Sequence, residues 1–210
     1  MKSGDKFYRG CFRLARAAIG IFYRIRVYGV ENIPAGGAMV CANHSSNLDP
    51  FLIAFAFGIE NHMYIIAKIE LFRIPVISQV LRKLGMISVD RGTLDISTIK
   101  KTYKLFDKGQ KVVIFPEGTR VHEAYAARAE TQRSDGEVSA KSGAVKLAER
   151  KGIPVVPVYI PRKKPVFRRV PVIIDEPYYI RKLERKRTAQ EYEQLADDMM
   201  ARIEELGVRS

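Results

Sequence analysis

The stretch Ala38-Met39-Val40-Cys41-Ala42-Asn43-His44-Ser45-Ser46-Asn47-Leu48-Asp49-Pro50 decides how this chain is read. An apolar run passes into a polar one, then into proline and a second apolar run from Phe51 to Phe57. That order predicts a buried strand, a loop, and a helix with proline in its first turn, where the missing N–H is not needed. Strand–loop–helix units build α/β folds, which carry their chemistry at the strand-to-helix loops. Within the loop, His44 stands five positions before Asp49. A carboxylate beside an imidazole fixes its tautomer and stabilises its protonated form, so the imidazole can take a proton from a hydroxyl. The same residues also admit a plainer role, with Asp49 as a helix cap and His44 as an ordinary loop residue.

A second strand end has similar character. Lys111-Val112-Val113-Ile114-Phe115 is a short β-branched run and reads as a buried strand. It leads directly into Pro116-Glu117-Gly118-Thr119-Arg120. Glycine allows backbone to approach a ligand closely, and a guanidinium presents a planar fork suited to phosphate. By themselves these residues also fit a plain turn with a surface arginine.

Taken together, Asn43-His44 with Asp49 and Phe115-Pro116-Glu117-Gly118-Thr119-Arg120 resemble two motifs of the glycerolipid acyltransferases. Gly85-Met86-Ile87-Ser88-Val89-Asp90-Arg91 and Ile153-Pro154-Val155-Val156-Pro157-Val158 resemble two further motifs, in the family's order. The resemblance spans about Val30 to Tyr179. It implies transfer of a fatty acyl group from an acyl thioester, acyl-coenzyme A or acyl-carrier protein, to the 2-hydroxyl of 1-acyl-glycerol 3-phosphate. Phosphatidic acid would be the product. Another lysophospholipid or glycerol 3-phosphate is the alternative acceptor. His44 would be the general base and Asp49 would orient it. Arg91 and Arg120 would bind the phosphate with help from Lys68. Glu117, Gly118 and Thr119 would line the substrate loop. The thioester is already activated, so the resemblance implies no metal and no further cofactor. One departure stands out: Val121 to Arg133 intervene before Ser134-Asp135-Gly136, where the family passes quickly to a similar turn.

Composition narrows the alternatives. At 210 residues and 47% hydrophobic content, the chain suffices for one domain with a real core. Its two cysteines, Cys11 and Cys41, fall in a predicted helix and a predicted strand, so no disulfide is expected and a reducing setting fits. A Cys41–His44 nucleophile pair is disfavoured because Cys41 lies in the strand itself. With three histidines and two cysteines a zinc site is not expected. No Gly-x-Ser-x-Gly elbow indicates a serine hydrolase. The net charge of +13 calls for a polyanion. No nucleic-acid-binding motif accompanies it, so an anionic membrane surface, a phosphorylated substrate or an acidic carrier protein is the expected partner. A non-catalytic basic module would leave the His–Asp spacing and the Glu-Gly-Thr-Arg loop unexplained.

Along the chain, strands alternate with helices, which predicts a single α/β domain with a largely parallel mixed sheet flanked by helices. Residues 1–28 are expected to form an amphipathic, membrane-associating segment and 29–210 the catalytic domain. In that segment Phe7, Cys11, Leu14, Ala18, Ile21 and Ile25 recur at helical spacing, with arginines between them. Charges interrupt every window long enough to span a bilayer, so peripheral or monotopic attachment at the cytoplasmic face is expected. Leu71–Leu84 reads as one helix after a turn at Pro75. Two basic clusters follow. Arg162-Lys163-Lys164-Pro165-Val166-Phe167-Arg168-Arg169 suits insertion at anionic lipid, while Arg181–Arg187 reads equally as solvated loop.

Overall fold

Strand β2 (Ala38–Ala42) is buried at every residue, and much of the architecture follows from covering both of its faces. In the computed structural model, which describes residues 3–89, 96–117 and 140–208, β2 lies at the middle of a seven-stranded sheet. It pairs in parallel with β5 (Lys111–Ile114) on one side and β6 (Val155–Tyr159) on the other. Beyond β5 lie β3 (Met63–Lys68) and β4 (Ile87–Val89); beyond β6 lie β7 (Arg169–Ile174) and β1 (Arg24–Tyr28). The β6–β7 pair is antiparallel and every other pair is parallel. Through its pairing with β7, β1 makes the end of the expected N-terminal segment an edge strand of the sheet.

The alternation of strand side chains divides the core. Ala38, Val40 and Ala42 face helix α2 (Asp49–Phe57), meeting Leu52, Ile53, Ala56 and Phe57. Met39 and Cys41 face the other way, toward Phe106 of helix α4 (Ile96–Asp107), Val145 and Ala148 of helix α5 (Ala140–Lys151), and Met199 and Ile203 of helix α6 (Ala189–Val208). Helix α2 is apolar nearly all round, so it needs cover on its outer side as well. Helix α1 (Ser3–Phe22) supplies it. Phe12 meets Phe55 edge-on at 5.2 Å, and Tyr8 stacks on His62 at 3.8 Å. Phe55 and Phe57 of α2 are therefore core, while Phe51 stays exposed.

The face of α1 that docks is a second stripe, beside the one read from its periodicity. Tyr8, Phe12, Ala15 and Ile19 turn inward, while Leu14 and Ile21 of the expected stripe stay exposed. Two apolar stripes run along this helix, and the aromatic one fits the surface of α2. The expected single helix over 71–84 is also corrected. A 3₁₀ turn, Ile69–Arg73, precedes helix α3 (Pro75–Lys83), with Ile74 extended between them. Pro75 lacks an N–H and disfavours a helical residue before it, so it starts a helix and cannot continue one. Among the described residues no helix is long and apolar enough to cross a membrane.

Asn43 completes the central ladder. Its Nδ2 donates to the Ile160 carbonyl at 2.8 Å, and its Oδ1 accepts from the Ile160 N–H at 2.9 Å. A side chain here does what the next residues of two diverging strands no longer can, and so holds the loop after β2 against the end of β6. Asn43→Ala leaves both Ile160 groups unpaired in a buried place. We expect a loss of roughly 2–4 kcal/mol in stability, measured by chemical denaturation; an unchanged midpoint would refute this bridging role.

Candidate active site

The register of the sheet brings the two polar loops level. Cys41 lies opposite Ile114 in the β2–β5 pair, and continuing that register sets His44 beside Glu117. The contact is direct: the His44 N–H donates to Glu117 Oε2 at 3.0 Å. Phe115 stacks on the His44 ring, with centroids 4.1 Å apart and planes 23° from parallel.

Asp49 is the first residue of α2, and its carboxylate turns back over the loop. Oδ2 accepts from the Ser45 N–H at 2.7 Å, the Ser46 N–H at 2.8 Å and His44 Nδ1 at 3.0 Å. Oδ1 forms a close ion pair with Lys164 Nζ at 2.8 Å. The Asp49 side chain has no exposure to solvent. Burial by itself would push the carboxyl group's pKa up. Hydrogen bonding from His44, the Lys164 ammonium and the Ser45 N–H outweigh it and hold the pKa below the usual carboxylate range. The helix N-terminus adds favourable potential for a negative charge.

An anionic Asp49 can only accept, so Nδ1 of His44 carries the ring proton and Nε2 presents its lone pair. That is the arrangement of a general base whose tautomer is set by a carboxylate. Asp49 therefore does more than the plain capping role that the sequence left open. Cys41 is no nucleophile: it is fully buried on the opposite face of the sheet, and burial pushes its thiol up to about 12.

Of the residues expected in the site, the structure brings His44, Asp49 and Glu117 together. Both Glu117 oxygens are engaged by protein: Oε2 by the His44 N–H and Oε1 by Arg162 at 3.2 Å. Lys68 ends β3, and its side chain lies outside the described residues, as do Arg91, Gly118, Thr119, Arg120 and the 121–133 insert. The basic cluster between β6 and β7 divides in a way its sequence did not suggest. The Lys164 side chain is 4% exposed and turned onto Asp49 and Ser45. Arg162 bridges Glu117 and Glu204 of α6. Lys163, Arg168 and Arg169 remain exposed. The expectation that all five cations face lipid is thus corrected. The hairpin folds back over the carboxyl end of β2, where Asp49 draws Lys164 inward while Glu117 and Glu204 hold Arg162 at the surface. Composition alone cannot separate Lys164 from Lys163. The second cluster is also partly built in, because Arg187 donates to Glu149 at 2.9 Å and to the Arg181 carbonyl at 2.7 Å.

A largely parallel sheet whose central strand leads into a buried His–Asp pair, with the Glu117 carboxylate beside it, is an α/β arrangement suited to moving a proton. Residues 24–161 match the family model described as Acyltransferase, and the chain belongs to that family. It is 32% identical over 152 residues to the 1-acyl-sn-glycerol-3-phosphate acyltransferase of Bacillus subtilis, covering 71% of this chain and 69% of that one. The corresponding enzyme of Borreliella burgdorferi is 31% identical over 153 residues, covering 71% of this chain and 55% of its own. A probable 1-acyl-sn-glycerol-3-phosphate acyltransferase of Mycoplasma pneumoniae is 32% identical over 142 residues, covering 65% and 49%. The chain thus spans about half to two thirds of the length of these curated relatives. Its fold is similar to the crystal structure of the 1-acyl-sn-glycerophosphate acyltransferase PlsC from Thermotoga maritima. The TM-score is 0.60 at 26% identity, over 99% of this chain and 79% of that one.

The lowered Asp49 pKa has a consequence for stability. A carboxyl group whose folded pKa lies below its unfolded value contributes stability that is complete above the unfolded value. That contribution is lost as pH falls toward the folded value. The melting temperature should therefore drop as pH falls below about 4, and Asp49→Asn should flatten that part of the profile. Parallel acid profiles for the two chains would contradict the anionic, buried Asp49.

Proposed function

We propose that the chain is a 1-acyl-sn-glycerol-3-phosphate acyltransferase, acting with acyl-coenzyme A or an acyl-carrier protein as donor. The observation that carries this reading is His44 Nδ1 bound at 3.0 Å to a buried Asp49, which leaves Nε2 to act as base. The 2-hydroxyl of the acceptor gives its proton to Nε2 as its oxygen bonds to the thioester carbonyl carbon. Asp49 stabilises the imidazolium that forms. Collapse of the tetrahedral intermediate breaks the carbon–sulfur bond, and the imidazolium proton goes to the departing thiolate. The products are the 1,2-diacyl phosphate and a free thiol, with no acyl-enzyme between. Arg91 and Arg120 bind the acceptor phosphate, and Lys68 assists, as the resemblance implies.

The setting we infer is the surface of an anionic membrane, at its cytoplasmic face, with the chain peripheral or monotopic. The outer side of α1 and the β6–β7 loop support it. Leu14, Ile21, Phe22, Val166 and Phe167 are exposed, and the Phe22 and Phe167 rings lie 6.0 Å apart. Phe167 has φ of 62°, a left-handed conformation that costs a bulky residue energy. Its N–H donates to the Phe22 carbonyl at 2.6 Å, which holds it there. Exposed Lys163, Arg168 and Arg169 surround this apolar tip, the combination that favours anionic headgroups over an acyl boundary.

Thiol release from an acyl thioester, with and without oleoyl-lysophosphatidic acid, tests the activity. Release should depend on the acceptor and fall roughly 100- to 10,000-fold in His44→Ala. Release without acceptor would indicate a thioesterase. No release with either donor would overturn the reading. Co-sedimentation with anionic vesicles tests the surface: the Ile21→Ser, Phe22→Ser, Phe167→Ser triple variant should lower partitioning by roughly tenfold or more. Unchanged sedimentation would remove this patch from the membrane contact.

A further inference from the structure

A buried ammonium group is costly unless its charge and its donors find partners, and Lys164 finds a counter-charge in Asp49 and an acceptor in Ser45. Its side chain is 4% exposed. Its Nζ lies 2.8 Å from Asp49 Oδ1 and donates to Ser45 Oγ at 2.8 Å. Both partners belong to the loop that carries His44.

The two oxygens of Asp49 are used differently. Oδ2 takes the Ser45 and Ser46 N–H groups and His44 Nδ1. On the other side, Lys164 is the partner that Oδ1 has among the described residues. With donors on one oxygen only, the carboxylate can turn about its bond to Cβ and tilt the acceptor that aims the imidazole. An ion pair on the second oxygen closes the clamp. A lysine suits this place, because a compact charge on a long flexible stem can reach two acceptors from a neighbouring loop without needing a planar fork's fixed geometry.

The loop bearing Lys164 is itself stitched to the His44 loop. Ser45 Oγ bonds the Arg162 carbonyl at 3.3 Å, and Arg162 holds the Glu117 that accepts the His44 N–H. At the other end of the same loop, the Phe167 N–H bonds the end of α1.

We propose that Lys164 is a positioning residue of the His44–Asp49 pair, holding the carboxylate from the side opposite the imidazole so that Nε2 is aimed at the acceptor hydroxyl. This rests on the acyl-transfer reading above. It assigns a function to a residue outside the two loops whose motifs point to the site, supplied by the β6–β7 connection.

The test compares the chain with Lys164→Gln, which keeps polar donors, and Lys164→Arg, which keeps the charge. In Lys164→Gln, kcat should fall on the order of tenfold or more while KM for acceptor and donor moves less than about threefold. Lys164→Arg should recover part of that loss. In an Asp49→Asn background, the Gln substitution should cost less than about threefold further, because the group it acts through is gone. The downfield Nδ1 proton resonance of His44 should shift in Lys164→Gln. Lys164→Met, of similar length and apolar, carries the same readouts if the Gln chain does not fold. Unchanged kcat and resonance, full additivity with Asp49→Asn, or a Lys164→Arg chain no better than Lys164→Gln would each overturn the proposal. If the wild-type chain transfers no acyl group, the acyl-transfer reading fails separately, and the resonance alone decides whether Lys164 orders the pair.

Discussion

A carboxylate with no access to water has to be met by donors on every side, and at the end of the sheet Asp49 imposes that requirement on everything near it. Two backbone N–H groups, an imidazole and an ammonium converge on its two oxygens. To deliver them, the loop after β2 must fold back over the start of α2. The hairpin after β6 must lie across that loop as well. The charge and tautomer of the pair follow from this convergence: Asp49 stays ionised although buried, and an ionised Asp49 dictates which imidazole nitrogen is free.

Ion pairs at both ends of the sheet explain why a strongly basic chain does not carry all its charge as free surface. Arg162 is taken by Glu117 and Glu204, Lys164 by Asp49, and Arg187 by Glu149. Tyr192 joins the last of these pairs, its hydroxyl donating to Glu149. These cations tie connections to the ends of α5, α6 and β2, so part of the positive composition serves packing. What stays outward around Phe167 is a smaller and better defined set, contiguous with the exposed side of α1. Packing and surface roles are separated by geometry within one short hairpin.

Helix α1 shows a related division. It covers an apolar α2 with Tyr8 and Phe12 and leaves Leu14 and Ile21 outside. Two of its arginines also reach the domain, since Arg16 donates to the Phe55 carbonyl and Arg9 pairs with Glu60. One helix therefore closes the core and presents an apolar stripe to its surroundings, which a helix with a single apolar face cannot do.

The alternation of strands and helices, the buried centre of the sheet and the His44–Asp49 pair were legible in the sequence, because each rests on local order: an apolar run, a proline, a spacing of five. Glu117 was legible as a loop residue beside them. Lys164 was not, for it stands 115 positions from Asp49, in a run of cations where nothing local distinguishes it. Nor was the docked face of α1, since both of its stripes satisfy helical periodicity and only the shape of α2 chooses between them. The antiparallel return of β7, which swings the Lys164 loop over β2, is a matter of sheet order. Sequence determined which groups can do chemistry. Tertiary structure decided which charges are spent holding them in place, because a buried carboxylate recruits its partners by distance in space and not by distance along the chain.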